Sequence, residues 1–388
     1  MDFAFNAEQQ AISDAVGKIC ADFGLDYWRA LDRDGGFPHD FYRAIAKAGW
    51  LGIAMPAEFG GAGLGITEAA LMMRTVAESG AALSGASAIH MNIFGLHPVV
   101  KYGTPEQKMR WLPPLIAGEQ QACFAVTEPD AGLDTLKLKT FARREGDKYI
   151  VNGQKIWIST AQVAHKMLLL ARTTPREEVA KPTQGLSLFY VDFDRTRIEV
   201  REIDKMGRKA VDSNQVFIDG LEVPVTDRIG EEGKGFEYIL HGINPERVLI
   251  AAEAVGIGRA ALRLAAKYAG ERSVFDRPIG KNQGIQHPLA QRWIELEAAD
   301  LLTFRAAWAY DQGMPAGAEA NAAKYFAAQA GFNACETAVL THGGMGYAKE
   351  FHVERLMRES MIARIAPVSP QLILSFIGER VLGLPKSY

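Results

Sequence analysis

The sequence predicts an α+β chain of three consecutive domains, and the change of hydrophobic period along it carries that prediction. Apolar residues recur at helical spacing from residue 7 to about 120, and again from about 233 onward. Between them, from about 121 to 232, short apolar runs alternate with turn residues, as in strands. We therefore read 1–120 as an N-terminal helical domain, 121–232 as a compact β domain and 233–388 as a C-terminal helical domain. A chain of 388 residues is long enough to bury a large core.

The individual elements follow in order. Ala7, Ile12, Val16, Ile19 and Phe23 line one side of a first helix. A helix from Pro38 to Gly49 has proline at its start and glycine at its end, where each residue's backbone preference fits. The glycine-rich run from Phe59 to Gly65 reads as a loop before a helix over Thr67 to Ser79. In the β domain, Tyr149-Ile150-Val151 and Lys155-Ile156-Trp157-Ile158 flank Asn152-Gly153, a pair suited to the positive φ angles of a type I′ hairpin turn. Lys166 to Ala171, Leu186 to Val191 and Gln215 to Ile218 read as strands. After 233, Asn244 and Pro245 suit a helix start, with the helix running from Glu246 to about Ala269. Further helical stretches cover about 286–312, 317–340 and 370–382.

Composition excludes several classes. Charged residues make up 23% and hydrophobic ones 48%, and the net charge of −3 gives no basis for nucleic-acid binding. No apolar run approaches a membrane span, and the opening Met1-Asp2-Phe3-Ala4-Phe5-Asn6 lacks the basic-then-apolar form of a signal peptide. Cys20, Cys123 and Cys335 are an odd, dispersed set, so neither a disulfide framework nor a zinc site is expected. A soluble protein of the cytoplasm fits these features best. Gly256-Ile257-Gly258-Arg259-Ala260-Ala261 matches a loose dinucleotide pattern but follows no strand, and Gly230 to Phe236 lacks the Ser or Thr of a P-loop. The histidines show no metalloprotease spacing, and no metal is expected.

The richest chemistry lies in the β domain. Ala125-Val126-Thr127-Glu128-Pro129-Asp130-Ala131-Gly132-Leu133-Asp134 is a turn-rich loop with exposed backbone donors. Trp157 and Ser159, two apart on a strand, share a face. An aromatic plane, a nearby hydroxyl and a polar loop can hold a flat heteroaromatic ring with a charged tail. These two segments resemble the flavin signatures of the acyl-CoA dehydrogenases, and the helical, β, helical order extends the resemblance over essentially the whole chain.

That resemblance implies a barrel-like central domain, a C-terminal helical bundle and FAD as cofactor. Phe124, Val126, Thr127, Leu133, Trp157 and Ser159 match the segment that holds the flavin, and Ser369 joins them from late in the chain. Arg272 and Phe275 in Arg272-Ser273-Val274-Phe275, Gln283, and Gly343-Gly344 match segments that reach the FAD of a neighbouring subunit, so a homotetramer, or at least a dimer, is implied. A guanidinium suits a pyrophosphate because its donors form a planar fork. Three positions depart from the family: Asp276 replaces a common glycine, Leu133 a serine and Leu340 a glutamine. Thr135 or backbone amides are the candidates to compensate.

Dehydrogenation of an acyl-CoA needs a carboxylate to remove the α-proton while flavin N5 takes the β-hydride. Many members carry this glutamate in a late Tyr-Glu-Gly-Thr segment, where this chain reads Ala366-Pro367-Val368-Ser369. Pro367 is no base, and it also lacks the N–H that would donate to the thioester oxygen. A smaller set, resembling the isovaleryl- and long-chain enzymes, places the base immediately before an arginine, and Asn244-Pro245-Glu246-Arg247 matches it. In the first turn of a helix, Glu246 would have its charge favoured by the dipole, while burial raises its pKa above about 4.3.

The resemblance thus implies an FAD-dependent acyl-CoA dehydrogenase with Glu246 as base and electron-transferring flavoprotein as oxidant. Arg247, Ala366, Pro367 and Val368 would line the substrate. The apolar 366–368 run predicts tolerance of branched or cyclic acyl groups. A flavin monooxygenase or oxidase on the same fold, and a non-catalytic acyl-CoA or partner-binding protein, stay open as alternatives.

Overall fold

The computed structural model describes residues 4–387. Residues 1–3, which begin the N-terminal stretch read above, lie outside the described residues. Seven helices form the first domain: α1 (Ala7–Ala21), α2 (Leu25–Asp34), α3 (His39–Lys47), α4 (Ile66–Val76), α5 (Ala82–Phe94), α6 (His97–Tyr102) and α7 (Pro105–Ile116). Local chemistry sets their ends. Asn6 accepts from the Gln9 N–H at 2.8 Å while the Gln9 side chain accepts from the Asn6 N–H at 3.1 Å, a reciprocal cap for α1. Thr104 and Gln107 do the same for α7, and Gln107 also donates to the carbonyls of Thr226 and Arg228, fixing α7 to the β domain.

The middle domain is a sheet of eight strands: β1 (Ala122–Ala125), β2 (Phe141–Glu145), β3 (Lys148–Ser159), β4 (Lys166–Arg172), β5 (Leu186–Asp192), β6 (Ile198–Glu202), β7 (Ser213–Pro224) and β8 (Arg228–Ile229). Its order is β6-β7-β3-β2-β4-β5-β8, with β1 alongside β4 in parallel. Alternation explains the unbroken apolar run in β4. Met167, Leu169 and Ala171 enter the sheet's own core, while Leu168 and Leu170 join the larger helical core.

Asn152-Gly153 makes no hairpin turn. β3 continues through it with a shift of register against β7 between Val151 and Gly153, Gly153 has φ +158°, and the Asn152 side chain accepts from the Gly220 N–H of β7 at 2.8 Å. The turn into β3 instead uses Gly146, whose φ of +65° favours glycine. Glycine is required at 153 for space: a Cβ there would lie 2.3 Å from the Thr140 hydroxyl.

The last domain contains α8 (Gly235–Glu271), a short hairpin of β9 (Ser273–Val274) and β10 (Arg277–Pro278), then α9 (Gln283–Asp311), α10 (Gly317–His342), α11 (Val353–Ile365) and α12 (Pro370–Phe376). α8 starts about ten residues before the expected position, so Pro245 lies inside the helix and Glu246 is not in its first turn. The dipole argument for Glu246 therefore fails. Gly256 and Gly258, the loose dinucleotide pattern, serve packing instead: Cβ atoms there would meet Arg74 O at 2.4 Å and Leu296 Cδ2 at 2.6 Å. The 353–381 stretch is long and apolar enough by composition to cross a membrane, contrary to the reading of no such run. It is broken between Ile365 and Pro370 into a helix of 13 residues and one of 7 that continues as a π-helix of 5, each well short of the ~20 residues a span needs.

Candidate active site

Strand β3 and the loop after β1 are joined by one buried lysine. Lys155 Nζ donates to Val126 O at 3.0 Å, Leu170 O at 2.8 Å and Glu128 Oε1 at 2.9 Å. Glu128 also accepts from the Lys139 and Thr140 amides at 2.6 and 2.9 Å. Burial presses Lys155 down to about 8 against the pull of Glu128. Burial opposes ionisation of Glu128, yet Lys155 and these donors hold it below the ordinary carboxylate value. The loop cannot drift from the strand, and the Ile156 N–H donates to Thr127 O at 2.9 Å. The two flavin-like segments thus form one surface.

A bulge between Lys155 and Ile158 aims that surface. Trp157 adopts φ +62°, an unfavourable angle for a bulky residue, so simple alternation does not explain its direction. Its indole is 56% exposed between buried Lys155 and Ile158. An uncovered aromatic plane in an otherwise packed strand fits a flat ring laid against it. Phe124, Val126, Thr127 and Ser159 are half-buried beside it, and Phe124 packs on Phe94 of α5 with centroids 5.5 Å apart.

Ser159 leads to the opposite wall. Arg208, at φ +61° in the turn before β7, donates to Ser159 Oγ at 3.1 Å, Ser213 Oγ at 3.3 Å and Ser87 Oγ at 2.9 Å. Within α5, every residue is buried except Ser87 and His90, so these two line an internal crevice. His90 Nδ1 lies 2.6 Å from Glu253 Oε1 on α8. Burial presses His90 down, but Glu253 and then Glu246 hold it above its ordinary value. His90 Nε2 and Glu253 Oε2 are buried without partners.

Glu246 stands two helical turns before Glu253, on the same side of α8. Burial pushes its carboxyl up to about 7, with His90, Arg247 and Lys324 pulling the other way. Lys324 of α10 donates to Val368 O at 2.7 Å and is pressed down to about 8 by burial. It is thus tied to the 366–369 loop and coupled electrostatically to Glu246, and Ala366, Pro367, Val368 and Ser369 are all half-buried. The Ala366–Pro367 peptide is cis, and Ser369 caps α12 by accepting from the Leu372 N–H at 3.2 Å. Arg247 donates to Asn244 Oδ1 at 2.9 Å.

The other expected residues lie elsewhere. Leu133 is 60% exposed at the tip of its loop. Arg272, Phe275, Gln283, Gly343 and Gly344 gather at the far end of the C-terminal bundle, where Tyr268 stacks on His342 at 4.2 Å. From Glu246 to Arg272 is about 39 Å along α8, at ~1.5 Å per residue.

Sequence reading missed Arg208, His90, Glu253 and Lys324. A signal existed for two: Ser84, Ser87 and His90 are polar at three-residue spacing in an apolar helix, and Glu253 is a lone acid in Ala251-Ala252-Glu253-Ala254-Val255. Nothing local marked Arg208.

Family models for the acyl-CoA dehydrogenase N-terminal, middle and C-terminal domains match residues 6–119, 123–221 and 233–382. The chain is 38% identical to acyl-CoA dehydrogenase FadE12 of Mycobacterium tuberculosis over 100% of its length and 99% of that protein. Its fold matches the butyryl-CoA dehydrogenase of Megasphaera elsdenii with a TM-score of 0.93 at 27% identity, covering 98% of this chain and 100% of the other. A glutaryl-CoA dehydrogenase in complex with glutaryl-CoA matches with a TM-score of 0.94 at 29% identity, covering 100% and 98%.

Proposed function

The chain belongs to the acyl-CoA dehydrogenase family, and on that premise we propose that Glu246 is the base that removes the α-proton of the acyl thioester. One observation carries this reading: Glu246 is packed round by protein yet keeps accessible surface in the crevice, and burial holds it near 7. A carboxylate with that affinity accepts a carbon-bound proton better than a solvated one and still ionises at neutral pH. His90, Arg247 and Lys324 keep its charged form accessible. Pro367 leaves the late position without a base or an N–H donor.

The family is FAD-dependent. When bound, FAD supplies the hydride acceptor. Trp157, Thr127, Val126, Phe124 and Ser159 would hold its ring, with Leu133 beside the tail. Arg272, Phe275, Gln283 and Gly343-Gly344 are too far from Glu246 to serve the same FAD, which supports their contacting a partner subunit's cofactor. Exposed apolar groups support self-association: Phe275 and Tyr347 are 93% and 89% exposed, and Ile294, Leu301 and Trp308 recur every seven residues along α9. The family resemblance supports electron-transferring flavoprotein as the oxidant. Three buried free thiols suit a reducing compartment such as the cytoplasm.

Anaerobic mixing with a panel of acyl-CoA thioesters tests this. The holoenzyme should bleach its flavin with at least one of them, and Glu246→Gln should retain FAD while slowing bleaching by about 10²–10⁴-fold. Near-wild-type bleaching in that variant would end the assignment of the base.

A further inference from the structure

The crevice carries more cationic than anionic side chains. Glu246 and Glu253 are its acids; Arg208, His90, Arg247 and Lys324 are its bases. Arg208, like Arg247 and Lys324, has no carboxylate in contact with it among the described residues. Glu253, Glu359 and Asp212 attract it. Among the described residues, however, none comes within the 4.0 Å of an ion pair. Glu253 is paired with His90, and Glu359 with Arg355 at 2.9 Å. The hydrogen bonds that Arg208 makes go to three serine hydroxyls, which satisfy donors without neutralising a charge. A guanidinium enclosed by protein and lacking a contacting carboxylate is costly, and an anionic ligand group reaching it would offset that cost.

Its position says which part of the ligand would do so. Arg208 bridges Ser159 on the flavin-holding strand and Ser87 on α5, one turn before His90. It keeps accessible surface and lies within electrostatic reach of His90 and Glu253, the pair beside Glu246. We propose that Arg208 receives an anionic group, a carboxylate, carried by the acyl part of the thioester. The substrate class is then the monothioester of a dicarboxylic acid. This rests on the dehydrogenase reading of the crevice and deepens it. Bidentate pairing suits the planar fork of an arginine, and the serines hold that fork in place.

The test uses the Glu246→Gln holoenzyme, in which proton removal is blocked, and reads equilibrium binding by calorimetry. Glutaryl-CoA is compared with its monoamide, 4-carbamoylbutyryl-CoA, which has the same length and the same CoA, so phosphate contacts cancel in the ratio. We expect glutaryl-CoA to bind about 10- to 100-fold more tightly, as a charge-assisted pair allows. Adding Arg208→Gln should collapse that ratio toward one, and Arg208→Lys should recover part of it. Equal binding of the two thioesters, or a ratio unchanged in Arg208→Gln, overturns the proposal. The base assignment is judged separately, by whether Glu246→Gln still bleaches its flavin.

Discussion

Two buried ion pairs flank the crevice, and they differ in completeness. Lys155 and Glu128 leave nothing unused: the ammonium has three acceptors, and both carboxylate oxygens take donors. His90 and Glu253 meet through one contact and leave Nε2 and Oε2 buried without partners. A closed network rigidifies a scaffold, while a half-closed one leaves polar atoms free to take a further partner. The first pair holds the loop after β1 against β3. The second faces the crevice and is electrostatically coupled to Glu246.

Breaking the closed pair should have the largest effect on folding. Lys155→Met leaves the Glu128 carboxylate buried with amide donors alone, and should destabilise the protein by about 3–5 kcal/mol. Urea unfolding followed by circular dichroism would measure it; a loss below 1 kcal/mol would make the pair incidental.

Breaking the half-closed pair should act on chemistry more than on folding. His90 pulls the Glu246 carboxyl down, so its removal lets burial dominate further. His90→Gln should move the acid limb of the reductive half-reaction upward by about half a pH unit to one unit. An unmoved limb would separate His90 from the base.

The same contrast explains what could be read in advance. The β4 run Met167-Leu168-Leu169-Leu170 was legible because both of its faces are buried in apolar cores. Asn152-Gly153 misled because its turn chemistry is genuine but long-range pairing with β7 overrides it. For Glu246 the expected helix start fails, because it lies inside α8, while the expected rise of its pKa by burial holds. α11 escaped notice because Arg355, Glu359 and Ser360 are buried through pairing, which hides an apolar stripe. Arg208 escaped because its place follows from a left-handed turn and three serines distant in sequence. Local segments of the candidate site were readable, whereas the charges that converge on it were not.

The exposed stripe on α9 offers the smallest effect on folding of a single subunit. Leu301→Lys lies on a solvent-facing position and should change subunit stability by no more than about 0.5 kcal/mol. It should nevertheless shift the sedimentation coefficient toward smaller species. An unchanged assembly would remove this stripe from the interface.

The most direct measurement is the rate of anaerobic flavin bleaching by a turned-over thioester between pH 5 and 9. The base must be ionised to accept a proton, and its raised affinity places that ionisation near neutrality. The rate should therefore fall tenfold per unit below about 7, level off above it, and lose this limb in Glu246→Gln. A rate already flat from pH 5 upward, or a wild-type limb preserved in the variant, would contradict Glu246 as the base.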